Sequence, residues 1–95
     1  MIVRQVTLEV PPDRQPELVA FFRDEYRVAM SRQPGFVAAR LLKVAGAATE
    51  IQLELEFEGE AQAAAWRASP AHAQLGPRLK SFSPGLALKV FSPLA

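Results

Sequence analysis

Ninety-five residues of one uniform composition leave room for a single domain, residues 1–95, and not for two. Eleven basic side chains against ten acidic ones give a net charge near zero without a basic block, so no nucleic-acid partner is expected. The absence of cysteine removes disulfides, thiolate nucleophiles and zinc–thiolate sites, and no apolar run approaches the roughly 20 residues needed to span a bilayer, so no membrane partner is expected either.

The chain starts directly on a strand-like segment instead of a cleavable signal, which makes a cytoplasmic protein the default expectation. Over residues 2–10, Ile2, Val6, Leu8 and Val10 share one parity with Arg4, against Val3, Gln5, Thr7 and Glu9. This reads as a strand with one greasier face, stopped by Pro11 and Pro12. Asp13 is placed to cap a helix whose first turn tolerates Pro16. Leu18, Phe22, Tyr26 and Ala29 then form a stripe at helical spacing, with Val19 and Phe21 flanking it, and Gln33-Pro34-Gly35 ends the helix.

Residues 36–44 read as a second strand, and the small residues 45–48 as a hairpin turn. The third strand is the clearest signal: Ile51, Leu53, Leu55 and Phe57 alternate with Gln52, Glu54, Glu56 and Glu58. An Ala-rich helix over residues 59–68 follows, carrying the only Trp of the chain, Trp66. Ser69-Pro70 looks like a new cap with proline at the first helical position, restarting the helix at an angle. His72, the only histidine, shares a face of this second piece with Leu75, Leu79 and Phe82; Pro77 weakens its middle and Ser83-Pro84-Gly85 ends it. Residues 86–91 make a last short strand. The order is α+β, a ferredoxin-like βαββαβ antiparallel sheet with two helices on one face. The helices cover the face of Ile51, Leu53, Leu55 and Phe57. Gln52, Glu54 and Glu56 then look away from them, near Gln5, Arg40 and Lys89.

The QPGF of residues 33–36, the run FEGEAQAAAWRASPAHAQL over residues 57–75 and the overall length resemble the antibiotic biosynthesis monooxygenase family, a branch of the dimeric α/β-barrel proteins. The likeness covers nearly the whole chain and is most specific over Trp66 to His72. It implies a homodimer packed sheet to sheet through the face of Gln52, Glu54, Glu56 and Arg40, with Arg4, Arg40 and Lys89 as partners for the buried carboxylates. It further implies a pocket between sheet and helices for a small aromatic ligand. The family's activities are cofactor-independent oxygenation of aromatic phenols and oxidative degradation of haem. For the first, the protein supplies shape, a proton acceptor and exclusion of water, and needs no metal or other cofactor.

On that resemblance His72 and Trp66 are the candidate catalytic residues, with Tyr26, Phe22, Phe57 and Phe82 as substrate-binding walls. His72 has the only side chain whose ordinary pKa lies near neutrality. Haem degradation is disfavoured, since the chain contains no asparagine for the pocket position beside the Trp, and the family's axial His falls near Gly76-Pro77. The residues alone keep plainer readings open: Trp66 as a wall of the core, His72 as a satisfied structural histidine, Tyr26 as packing, and Glu54, Glu56 and Glu58 as a polar sheet face. One histidine and no cysteine make a metal site unexpected. Three functions compete. They are an enzyme on an aromatic or quinone-like metabolite, a non-catalytic small-ligand-binding or accessory domain of the same fold, and a dimerisation module whose Phe22, Trp66 and Phe82 fill the interior. Pocket volume beside His72 separates the last from the others.

Overall fold

Strict alternation along β3 (Glu50–Phe57) places it at the centre of the sheet, because one face buries Ile51, Leu53, Leu55 and Phe57 while the other stays polar. In the computed structural model, which describes residues 1–95, β3 pairs antiparallel with β1 (Ile2–Glu9) on one side and β2 (Phe36–Lys43) on the other. β4 (Ala87–Phe91) adds to the free edge of β1, giving the strand order β2-β3-β1-β4. Four antiparallel strands with helices on one face are the expected ferredoxin-like α+β arrangement. β2 carries a bulge between Phe36 and Ala38, which leaves Val37 without a ladder partner.

The first helix is less regular than its sequence pattern predicts. Asp13 caps nothing: it lies inside a 3₁₀ turn (Pro12–Arg14) that is entered through Pro11 without any side-chain cap. The helix then runs as α1 (Gln15–Phe21), a π-helical segment (Phe22–Tyr26) and α2 (Arg27–Ser31) without a break. The Arg27 amide donates to the Phe22 carbonyl, five residues back, so the wider turn admits one extra residue. Phe21, Phe22, Tyr26 and Met30 are all buried against the core across this wider turn.

The second helix is broken where the sequence predicts it. α3 (Glu60–Arg67) stops, and Ser69 starts α4 (Pro70–Phe82) with Pro70 at its first position. The Ser69 hydroxyl accepts from the His72 amide at 3.1 Å and donates to the Trp66 carbonyl at 2.7 Å, tying the two pieces together. Gly35, with φ +78°, closes the turn into β2, and a Cβ there would strike the Gln62 side chain at 2.3 Å. No helix is long and apolar enough to cross a membrane.

On the outer face of the sheet the polar side chains are hydrogen-bonded in two separate groups. Glu54, 9% exposed, accepts from Arg40 Nη2 at 3.0 Å and from Gln5 Nε2 at 3.2 Å, and Thr7 donates to Gln52 at 3.1 Å. Arg4 cannot serve this face. It pairs in register with Leu55 and Val90, so its side chain lies on the helix side with Val6 and Leu8. The partner of Glu54 is Arg40 alone among the cations expected there.

Candidate ligand cavity and active site

Between the sheet and the α3–α4 corner the core does not close. A cavity of about 540 Å³ opens there, floored by Arg4, Val6 and Leu55 of the sheet and roofed by Trp66, His72 and Leu79 of the helices. Tyr26 enters from the π-helical segment, and Leu88 of the edge strand forms one side. The walls are mainly apolar, which suits a small ligand with a large hydrocarbon surface.

Three of the expected site residues meet here. Trp66 is fully buried, with its ring edge-on to Tyr26 at 5.6 Å between centroids and edge-on to His72 at 5.4 Å. Its indole N–H closes no well-formed hydrogen bond. Tyr26 is 2% exposed; burial pushes its phenol up to about 12, against a smaller opposing pull from the Trp66 N–H and the Arg4 charge. Tyr26 is therefore a neutral hydroxyl at any working pH and supplies a polar edge, not a base.

His72 is half-buried, and burial first, then the positive charges of Arg4 and Arg67, hold its pKa below the ordinary 6.5. Near pH 7 its imidazole is neutral and able to accept a proton. Its place is set by Gly76, one turn on in α4: a Cβ at Gly76 would lie 3.3 Å from the His72 Cε1, so the ring rests on bare backbone. Gly76 is thus part of the site, as the seat of the imidazole.

The other three expected walls lie elsewhere. Phe57 has Leu55's parity but sits at the far end of β3, 0% exposed and edge-on to Phe36 at 6.3 Å. Phe82 packs on Phe21 at 5.8 Å under the Arg14 guanidinium. Phe22 stacks on Tyr26 and borders a separate shallow hollow with Arg23, Arg27 and Arg40. In each case the pattern gives a buried face but not the position along it.

The residues that pattern reading passed over are Arg4, Arg67 and Gly76. Arg4 is 8% exposed, hidden among apolar side chains, and burial followed by repulsion from Arg67 pulls its pKa below the ordinary value. Its signal was its parity, since an arginine in step with Ile2, Val6 and Leu8 must point at the helices. No group of three or more His, Cys, Asp or Glu side chains capable of holding a metal ion is present.

The profile of the antibiotic biosynthesis monooxygenase family matches residues 1–76. Comparison with curated proteins gave no match. Among solved structures, the chain is similar to a monooxygenase from the gene ActVA-Orf6 of Streptomyces coelicolor in complex with nanaomycin D, with 22% identity, coverage of 99% of this chain and 88% of that one, and a TM-score of 0.85. It is also similar to SnoaB, a cofactor-independent oxygenase from Streptomyces nogalater, at 17% identity, 99% and 93% coverage and a TM-score of 0.85. MhuD carrying two manganese protoporphyrin IX molecules per active site is 28% identical over 100% of this chain and 96% of that one, with a TM-score of 0.81. The one histidine of the chain lines the cavity, resting against Gly76 and Trp66.

Proposed function

Because the chain belongs to the antibiotic biosynthesis monooxygenase family, we propose that it is a cofactor-independent monooxygenase for an aromatic or quinone-like small metabolite held between its sheet and its helices. The observation that carries this reading is the cavity of about 540 Å³ in which a neutral, half-buried imidazole meets Trp66 and Tyr26. A filled interior would have favoured a structural module. A cavity without a titrating group would have favoured passive binding. The similarity to the cofactor-independent oxygenase of Streptomyces nogalater is in keeping with the same chemistry.

In the proposed reaction His72 takes the proton of the bound phenol, and the electron-rich phenolate passes electrons to dioxygen as a bond forms between a ring carbon and oxygen. The O–O bond of the resulting peroxide then breaks. One oxygen stays on carbon as a carbonyl and the other leaves as water, so a CH₂ and O₂ become C=O and H₂O. Trp66 borders the reacting centre and keeps the imidazole edge-on. The apolar walls keep water from competing for the phenolate.

The reading includes a homodimer formed through the outer face of the sheet, around Gln52, Glu54, Glu56 and Arg40. Leu42 on β2 and Phe91 on β4, 38% and 42% exposed, belong to the apolar surface that such packing would cover. Sedimentation of the purified protein tests the dimer.

The chemistry is tested by oxygen uptake with metal-free protein and a panel of hydroquinones and anthrone-like phenols. His72→Ala is expected to lose on the order of 10²- to 10⁴-fold in rate, the usual worth of a general base. Tight binding of the aromatic panel with no oxygen uptake by the wild-type protein would move the assignment to a ligand-binding or accessory domain.

A further inference from the structure

The cavity contains a charge that no protein group meets at contact distance. Arg4 is 8% exposed and lines the cavity, yet it has no carboxylate at ion-pair distance and no hydrogen-bonded partner. A guanidinium cannot shed its proton at any working pH, so hiding it among apolar side chains is costly unless an anion joins it. The imbalance is local. Three cations line the cavity, Arg4, Arg67 and Lys80, and no acidic side chain does, although the chain carries ten acidic residues in all. Arg67 is partly answered by Glu60, 3.4 Å away at the surface, and Lys80 is exposed to solvent. Arg4 alone is buried without a contact partner, Glu60 acting on it only at longer range.

We infer that the cavity takes an aromatic carboxylate, its carboxylate seated on Arg4 and its ring among Trp66, Leu55 and Leu88. The inference rests on the reading of this cavity as the substrate site and names the substrate class within it. A guanidinium offers two parallel N–H donors that match a carboxylate edge. One free cation in an otherwise apolar floor balances a monoanion, whereas a dianionic phosphate would bring more charge than Arg4 can meet. The exposed Arg67 and Lys80 add a positive field that draws an anion towards the opening. This division of labour also separates two negative charges that the site must handle. Arg4 holds the permanent one, and His72 creates the transient one by taking the phenol proton.

The test uses 2-naphthoate and its neutral methyl ester, titrated calorimetrically under anaerobic conditions so that no oxidation contributes. Wild-type protein is expected to bind the acid about tenfold or more tightly than the ester, as a desolvated charge pair requires. Arg4→Gln should abolish that preference, and Arg4→Lys should keep part of it. Arg67→Gln should retain the preference and lessen its dependence on salt. Equal binding of acid and ester by the wild-type protein overturns the inference without any variant, as does a preference that survives in Arg4→Gln. The outcome is independent of the oxygenase reading. Absence of oxygen uptake leaves an acid preference intact, whereas full-rate uptake of a neutral hydroquinone with no acid preference removes the carboxylate alone.

Discussion

Two charged side chains on neighbouring strands are hidden to nearly the same degree, Glu54 at 9% and Arg4 at 8% exposure, on opposite faces of one sheet. Around Glu54 the outer face supplies Arg40 and Gln5 at hydrogen-bond distance, and the charge becomes part of the architecture. Around Arg4 the inner face supplies Val6, Leu55 and Leu88, and the charge is left facing a cavity. The fold solves the outer problem internally and leaves the inner one open. A buried charge with its partners in place belongs to stability, and one without them points to a ligand.

The largest test of this contrast concerns how firmly the inner region is built. Trp66→Ala should destabilise by about 3 to 5 kcal/mol in urea titrations, because a fully buried ring leaves a void beside an existing cavity. Trp66→Phe should cost much less, since it keeps most of the volume and deletes an N–H that lacks an acceptor. A negligible loss for the alanine variant would mean that the inner wall is loose and the contrast with the outer face misdrawn. Tyr26 gives the next effect. Its folded pKa is raised to about 12 from 10.0, so the native state holds its proton where the unfolded chain releases it. Stability should therefore fall between about pH 10 and pH 12, by about 2 to 3 kcal/mol in all, and the Tyr26→Phe variant should lack that fall.

The sharpest comparison substitutes the two charges in parallel. Glu54→Gln removes a satisfied carboxylate and should cost about 1 kcal/mol, whereas Arg4→Gln removes an unsatisfied cation and should raise stability by a similar amount. Equal signs in chemical denaturation would erase the distinction. The smallest effect belongs to Gly76→Ala. Better helix propensity offsets the contact with His72, so stability should change by only about a few tenths of a kcal/mol. The displaced imidazole should nevertheless shift the acid limb of the oxygen-uptake profile, which for wild type should fall below 6.5 because burial and the Arg4 and Arg67 charges lower the His72 pKa. The sign follows from the base: activity is lost as pH falls through the folded pKa and His72 gains its proton. An unchanged pH profile in Gly76→Ala would show that Gly76 is not the seat of the ring.

Much of this architecture is legible in the sequence, because a period of two and a period of 3.6 report directly on which side of an element is buried. Ile51 to Phe57 gives β3, and Ser69-Pro70 gives the restart of the second helix together with its capping hydroxyl. Trp66, His72 and Tyr26, grouped by the family resemblance and not by periodicity, line one cavity in the structure. Periodicity does not report how far along a face the packing continues, which is why Phe57 and Phe82 were assigned to a pocket that ends short of them. Nor does it register the extra residue of the π-helical turn, since Phe22 to Tyr26 satisfies an α-helical stripe equally well on paper. Arg4 was visible by parity but read as a contributor to the outer face. A charge was assumed to seek the polar side, and the strand register places it on the other.

The Ser69 junction gives the site a property that does not depend on the proposed chemistry. The hydroxyl is bonded to the backbone amide of residue 72 and the backbone carbonyl of residue 66, so the bend that brings these positions together makes no demand on either side chain. A substitution at position 72 therefore leaves the hydrogen bonds of the bend in place and is felt only where the side chain packs, against Gly76 and Trp66.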